Sequence, residues 1–250
     1  MAHPLDGIRA KLKRAEENIK NLEREITLFF DYGPNRAVPD NDMQAIQKLA
    51  DLHVDRPVPI RFSVLAGEIV HQLRSALDHL AWQLSSDSYR KKRPKVIAFP
   101  IFKTDPAKEK KMKSYARKVE GMSRTAKALV ERLQPYKSSA SGGHLLQIIE
   151  EMDVVEKHRE LIFMTRAFRH IRYPGWRFQR NRGSTIESDA KFPYFGVQPF
   201  DPAMDVRGQI SVQVAFAEFG VLKYQPIIPS LKQLLDGIRR VIALFDREFS

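Results

Sequence analysis

The sequence predicts a mainly α-helical fold: a helical bundle with a small antiparallel β insertion, about residues 161–224, before a C-terminal helix. Two patterns support this prediction. Apolar residues recur every three or four positions through most of the first 160 residues and again after residue 227. Between residues 208 and 224 they recur instead at every second position, as in a half-buried strand. With 250 residues and 43% hydrophobic residues, we expect a single domain spanning 1–250, with a helical part (1–160 and 227–250) and a β-rich part (161–224).

The helices before the insertion are predicted from the three- and four-residue spacing of apolar residues and from the positions where that spacing is interrupted. Leu5 to Phe30 carries a heptad-like apolar stripe and ends at Tyr32-Gly33-Pro34-Asn35. Another long helix is predicted over residues 64 to 84, with its start near Ile60. Lys92 to Phe102 contains Pro94 and Pro100, which predicts an irregular or short extended segment. Four shorter helices are predicted at 42–52, from Pro106 to about Val119, at 123–133 and from His144 to about Leu161.

The character of the sequence changes after Leu161. Leu161 to Tyr173 is rich in aromatic and β-branched residues, Pro174-Gly175 marks a turn, and Gly208 to Tyr224 alternates. This pattern predicts three to five antiparallel strands between 161 and 224. Ile227 to Phe249 returns to helical spacing and is the predicted closing helix.

Positive charge is concentrated in one part of the chain. The net charge is +12, and residues 89–127 contain fourteen Lys or Arg against three acidic residues, a local excess of +11. Clustered cations attract polyanions, of which the phosphate backbone of nucleic acids is the commonest. We therefore predict RNA as a partner, with contacts from seven residues of this stretch: Arg90, Lys91, Lys92, Arg93, Lys110, Lys111 and Lys113.

Other features of the composition exclude several classes of function. The chain has no Cys, which excludes disulfides, Cys-based zinc sites and thiol catalysis. We see no signal-peptide pattern and no apolar run of transmembrane length, so we expect no membrane partner and a cytoplasmic location.

The helix at 64 to 84 has an unusual polar face. At 100° per residue, its apolar residues fill one half of the helix, and the other half gathers polar side chains and Trp82. This face has no Lys, although the protein is rich in Lys. Imidazole, guanidinium, hydroxyl and carboxylate groups can together bind phosphate and exchange protons near neutral pH. The polar residues that make this face a candidate site are Glu68, His71, Arg74, Ser75, Asp78 and His79.

The segment Arg74-Ser75-Ala76-Leu77-Asp78-His79 has a recognisable pattern: an Arg is followed by a polar residue, then by three further residues and a His. It resembles the signature of the HEPN superfamily, helical-bundle proteins that include many metal-independent ribonucleases. The stretch from Gly67 to Leu84, with Phe99-Pro100 and the later Asp153-x4-His158-Arg159, is also similar to a family of uncharacterised bacterial proteins.

The HEPN resemblance implies roles for three residues in cleaving RNA without a metal or cofactor. His79 would act as general base or acid, Arg74 would neutralise charge on the phosphorane, and Ser75 would hydrogen-bond the phosphate or orient His79. Glu68, His71 and Asp78 would support them. Sites of this family usually form across a dimer, which implies a homodimer through the motif helix.

Two other functions remain open from the sequence. The first is a non-catalytic scaffold or nucleic-acid-binding protein that oligomerises through the Leu5–Phe30 helix. The second is a metal-dependent enzyme using His71, His79 and His158, since imidazoles with carboxylates suit zinc or iron. The same polar side chains also fit a third interpretation, a buried structural network between helices.

Overall fold

A computed structural model describes residues 3–30, 38–39, 58–138, 144–158, 164–172, 208–217, 222–223 and 225–249. In residues 38–39, 157–158, 164–172 and 208–213 only the backbone is described. The predicted helix at 42–52, the Pro174-Gly175 turn and the tip of the insertion lie outside these ranges. Within them the protein is mainly helical, as the sequence predicts.

Four long helices form the bundle. They are α1 (Asp6–Phe29), α2 (Ile60–Leu84), α6 (Leu145–His158) and α7 (Ile227–Ala243). The apolar stripe of α1 is buried in the bundle core, from Ile8 at one end to Phe29 at the other. Because this stripe is used within the chain, it is not available as the oligomerisation surface that its heptad-like spacing suggested.

Side-chain contacts between the helices show how the helices run relative to one another. On one side of α2, Asn18 of α1 faces Glu68, and Arg61 pairs with Glu25 at 2.9 Å, so α1 and α2 are antiparallel. On its other side, Arg74 contacts Glu150 and His71 contacts Asp153 of α6, which is also antiparallel to α2. Helix α2 therefore lies between α1 and α6, and its polar face is divided between these two neighbours.

Short helices connect α2 to α6. They are α3 (Asp87–Lys92), α4 (Met112–Val119) and α5 (Arg124–Arg132), with 3-10 turns at Pro94–Val96 and Pro135–Lys137. The sequence placed the start of α4 at Pro106, which is wrong. Residues 106–110 form turns instead, since Lys110 has a φ of 56°, in the left-handed region that an α-helix cannot contain.

The β insertion is an antiparallel sheet. Strands β2 (Met164–Arg172) and β3 (Gly208–Phe216) pair over their full length, with Met164 opposite Phe216. The short strand β1 (Val38–Pro39) pairs with the other edge of β3, which gives the order β1-β3-β2. This first strand comes from a part of the chain where the sequence predicted none.

The closing helix is shorter than predicted. Helix α7 ends at Ala243 and is followed by a 3-10 turn at Asp246–Glu248, whereas the prediction continued it to Phe249. Phe245 is fully buried and meets Phe99 edge to face at 6.5 Å. Burial of the Phe245 ring against Phe99 stabilises the C-terminal end of the chain.

Candidate functional site

Arg74 is buried at the centre of a polar network. Its side chain is 7% exposed, and its Nε donates to Glu150 at 2.8 Å. One terminal nitrogen of the guanidinium pairs with Asp78, and the other donates to the carbonyl of Phe99 at 3.1 Å. All three donor nitrogens of the guanidinium thus have partners within the protein, and the polar face predicted from the sequence is buried at this point.

Asp78 also binds the backbone of the segment that follows α3. The carboxylate that pairs with Arg74 also accepts a hydrogen bond from the backbone N–H of Phe99 at 2.9 Å. Gln134, fully buried, donates to the carbonyl of Pro100 and accepts from the N–H of Phe102. These side chains satisfy the backbone of an irregular segment that lies against the core. The Phe99-Pro100 pair noted in the sequence is the segment that they hold.

Lys118 of α4 approaches the same network. Its partial burial and the nearby Arg74 lower the pKa of its ammonium group, while Glu150 and Asp78 oppose this shift. The network therefore brings two cations and two carboxylates together. The sequence did not single out Lys118, Glu150 or Gln134, because the helices that carry them meet α2 only in the fold.

His79 lies on the opposite side of α2 from Arg74. Its imidazole is exposed at one edge and faces the first turns of α1, where a methyl group at Gly7 would lie 3.9 Å from Nδ1. Partial burial, followed by repulsion from Lys11, lowers the pKa of His79 below its usual value, and Asp78 opposes this shift. His79 is thus predominantly neutral at pH 7.

The structure does not bring the predicted catalytic residues together within one chain. Arg74 points to α6, His79 faces α1, and the half-buried Ser75 lies on the helix between them. In the part of the chain that the structure describes, no hydrogen bond joins any two of these three side chains.

The supporting residues of the predicted site are also divided. His71 lies 3.3 Å from Asp153 of α6, and Glu68 accepts a hydrogen bond from Asn18 of α1 at 3.5 Å. Among the described residues, no group of three or more His, Asp and Glu side chains is placed to hold a metal ion. The side chain of His158, the third ligand of the predicted metal site, lies outside the described part.

The basic stretch forms a surface of its own. Helices α4 and α5 border an open groove of about 430 Å³, which we call the basic groove. Three of its lining residues are cations, and within the described ranges no carboxylate lies within 4 Å of any of them. The groove is lined by Lys113, Ala116, Arg117, Val119, Glu120 and Lys127.

Tyrosines connect the elements around the basic groove. Tyr136 donates its hydroxyl to Glu131 of α5 at 2.6 Å, and burial, followed by this carboxylate, raises the pKa of both Tyr136 and Tyr115 of α4. Tyr89 of α3 donates to the backbone carbonyl of Arg117 at 2.5 Å. Burial, followed by Glu120 at 3.2 Å from the hydroxyl, raises the pKa of Tyr89, and Arg93 and Arg117 oppose this shift. Helix α3 is thereby joined to the groove.

The residues predicted to contact nucleic acid differ in whether they already pair with a carboxylate. Lys91, Lys92 and Arg93 are exposed, with no carboxylate within 4 Å in the described residues. Lys111 is paired with Glu109 at 2.6 Å, and Arg90 is paired with Asp87. Lys113 lines the basic groove, and Lys110 is exposed on the turn before α4. Arg117 and Lys127 were not among the predicted contacts, although both lie in the basic stretch that the charge count identified.

No family model, curated protein or solved structure matches this chain. No helix in the described residues is both long and apolar enough to cross a membrane.

Proposed function

We propose that this protein binds RNA through the basic groove and the neighbouring cations of α3. The observation that supports this proposal is the presence of unpaired cations along the groove. Lys113, Arg117 and Lys127 surround it with no carboxylate within 4 Å in the described residues. Glu120 also lines the groove, but the three cations outnumber it, so the lining keeps a net positive charge that a polyanion can bind by displacing small counterions.

The proposal concerns binding and not cleavage. A guanidinium that stabilises a phosphorane must reach the phosphate, yet Arg74 is 7% exposed and donates to three partners inside the protein. His79 has the neutral imidazole that a general base needs, but it faces α1 on the other side of α2. Cleavage across a dimer remains a prediction from the HEPN resemblance.

Charge reversal in the groove tests the proposal. The double variant Lys113→Glu/Arg117→Glu should bind a labelled single-stranded RNA at least about tenfold more weakly than wild type at 0.15 M salt. If two phosphate contacts are lost, the slope of log affinity against log salt should fall in magnitude by about 1.4. Fluorescence anisotropy titrations at several salt concentrations would measure both quantities.

The matched control carries the same change in net charge elsewhere. Lys13→Glu/Arg24→Glu reverses two exposed cations of α1 that have no carboxylate within 4 Å in the described residues. We expect this variant to keep most of the affinity and nearly the full salt slope. Equal losses in the two double variants would contradict the proposal, because they would show that only net charge matters. No RNA binding by the wild type would also contradict it, and binding of an acidic protein partner in its place would favour the scaffold function.

A further inference from the structure

Trp82 is an exposed aromatic side chain at the last turn of α2. It is 37% exposed, and it is the one aromatic among the large hydrophobic side chains that the described residues expose. The other residues in this set are aliphatic or Met: Leu28, Ile60, Val64, Met112, Val154 and Leu244. Exposure of an indole ring costs free energy in water, so a ligand that covers the ring would be favoured.

Arg90 places a cation beside this ring. Its guanidinium lies 5.9 Å from the centre of the Trp82 ring, near the outer limit of a cation–π contact. The same guanidinium reaches the side-chain oxygen of Gln83 at 3.4 Å and pairs with Asp87, whose own side chain is 81% exposed. The Arg90 side chain is 24% exposed, but its carboxylate partner is well solvated, so a phosphate can compete with Asp87 for the arginine.

The surroundings of Trp82 connect it to the basic groove. Arg90 begins the run of four cations that ends at Arg93, and the neighbouring Tyr89 donates its hydroxyl to the backbone carbonyl of Arg117, which lines the groove. On the other side, exposed His79 precedes Trp82 by three residues and shares its helix face. A neutral imidazole offers one donor and one acceptor, which is the hydrogen-bonding capacity of the edge of a base.

An aromatic platform beside a cationic track is the arrangement that binds single-stranded nucleic acids. We propose that Trp82 stacks an unpaired base of single-stranded RNA while Arg90 contacts the adjoining phosphate. This inference rests on the proposed function and specifies its ligand, since bases in a duplex are stacked on each other and cannot cover the ring.

The test separates base stacking from phosphate binding. Two strands of equal length are compared: a single-stranded RNA and an abasic strand with the same number of phosphates. We expect Trp82→Ala to weaken binding of the RNA by at least about fivefold, the lower end for one stacked base, and to leave the affinity for the abasic strand unchanged. Trp82→Phe, which keeps a smaller ring, should recover part of the loss.

Fluorescence gives a second and direct measurement. The chain has two tryptophans, so Trp176→Phe leaves Trp82 as the single indole, provided that this variant binds RNA as the wild type does. We expect the RNA to quench its emission and the abasic strand to leave it almost unchanged. Circular dichroism of Trp82→Ala should match wild type, because the side chain is on the surface.

The outcomes distinguish this inference from the function on which it rests. If RNA binds with the predicted salt dependence but Trp82→Ala is neutral and Trp82 emission does not change, base stacking is wrong and binding by the groove stands. If Trp82→Ala weakens both strands equally, stacking is again wrong. If neither strand binds the wild-type protein, both proposals fail.

Discussion

The Arg74 guanidinium makes its three contacts from a position that water reaches poorly. Removing it would leave the carboxylates of Asp78 and Glu150, each about one-third exposed, with Lys118 as the remaining cation of the network near them. Their mutual repulsion would then be only partly compensated, because the site is partly shielded from water. Phe99 would also lose a partner for its carbonyl.

The first prediction concerns the stability of Arg74 variants. Arg74→Ala should lower the free energy of unfolding by about 3 kcal/mol, because breaking a buried ion pair leaves its partners unpaired. Arg74→Lys should lose less, since it keeps the charge but not the three-way geometry. Urea unfolding followed by circular dichroism would measure both.

The control for Arg74 is an arginine on the surface. Arg24 is exposed on α1 with no carboxylate within 4 Å in the described residues, and Arg24→Ala should change stability by no more than about 0.5 kcal/mol. If Arg74→Ala were as mild as Arg24→Ala, the network would not be structural, and the phosphate-binding role that the HEPN resemblance implies would regain support.

Sequence periodicity predicted the helix around Arg74 but not the direction in which its side chain points. Angles on a helical wheel place Arg74 and His79 on one polar half of α2, 140° apart. They do not show that α6 covers one edge of this half and α1 the other. That division depends on which helices pack beside α2, and residues as distant as Glu150 decide it.

At the scale of elements, the position of α3 depends on a close contact between Gly121 and the ring of Tyr89. The backbone N–H of Ser86 bonds to the carbonyl of Gly121 at 2.8 Å, which brings the turn after α4 against the ring of Tyr89. A Cβ at position 121 would lie 2.6 Å from two atoms of that ring, closer than packed atoms approach. Glycine is therefore required here by space, and through Tyr89 it sets where the cations of α3 lie relative to the groove.

The second prediction of stability uses two glycines with different surroundings. Gly121→Ala should lower the free energy of unfolding by about 1–3 kcal/mol, since Tyr89 must move to admit the methyl group. Gly7→Ala should be neutral or stabilising by up to about 1 kcal/mol, because its Cβ meets nothing closer than 3.9 Å and alanine favours the helix. Thermal unfolding would compare the stabilities of the two variants. Equal effects would contradict the close contact between Gly121 and Tyr89.

The elements that were predicted best are helices whose apolar spacing is not interrupted and whose ends carry clear signals. Helices α1, α2 and α5 lie within a few residues of their predicted bounds. Helix α4 differs because the left-handed backbone at Lys110 interrupts a pattern that looks continuous, and α7 ends at Ala243 although its apolar spacing continues to Phe245. Strand β1 was missed since two residues are too few to show alternation.

At the scale of the whole molecule, two groups of like charge stand out among the described residues. The basic residues of 89–127 form α3, α4, α5 and their connections, while α6 supplies the acidic residues Glu150, Glu151 and Asp153. The first group is visible in the charge count along the sequence, and its role in binding RNA stays a prediction. The groove itself could not be predicted, because it depends on how α4 and α5 lie beside each other in the fold.

Lysine footprinting tests most directly whether this charged region is where RNA binds. The protein would be treated with an acetylating reagent, with and without single-stranded RNA, and modification at each lysine would be measured by mass spectrometry. We expect RNA to protect Lys113 and Lys127 most strongly, Lys91 and Lys92 next, and the exposed Lys13 of α1 not at all. Protection that is equal at Lys13 and Lys113, or that is absent from the groove while RNA is bound, would contradict binding through the basic groove.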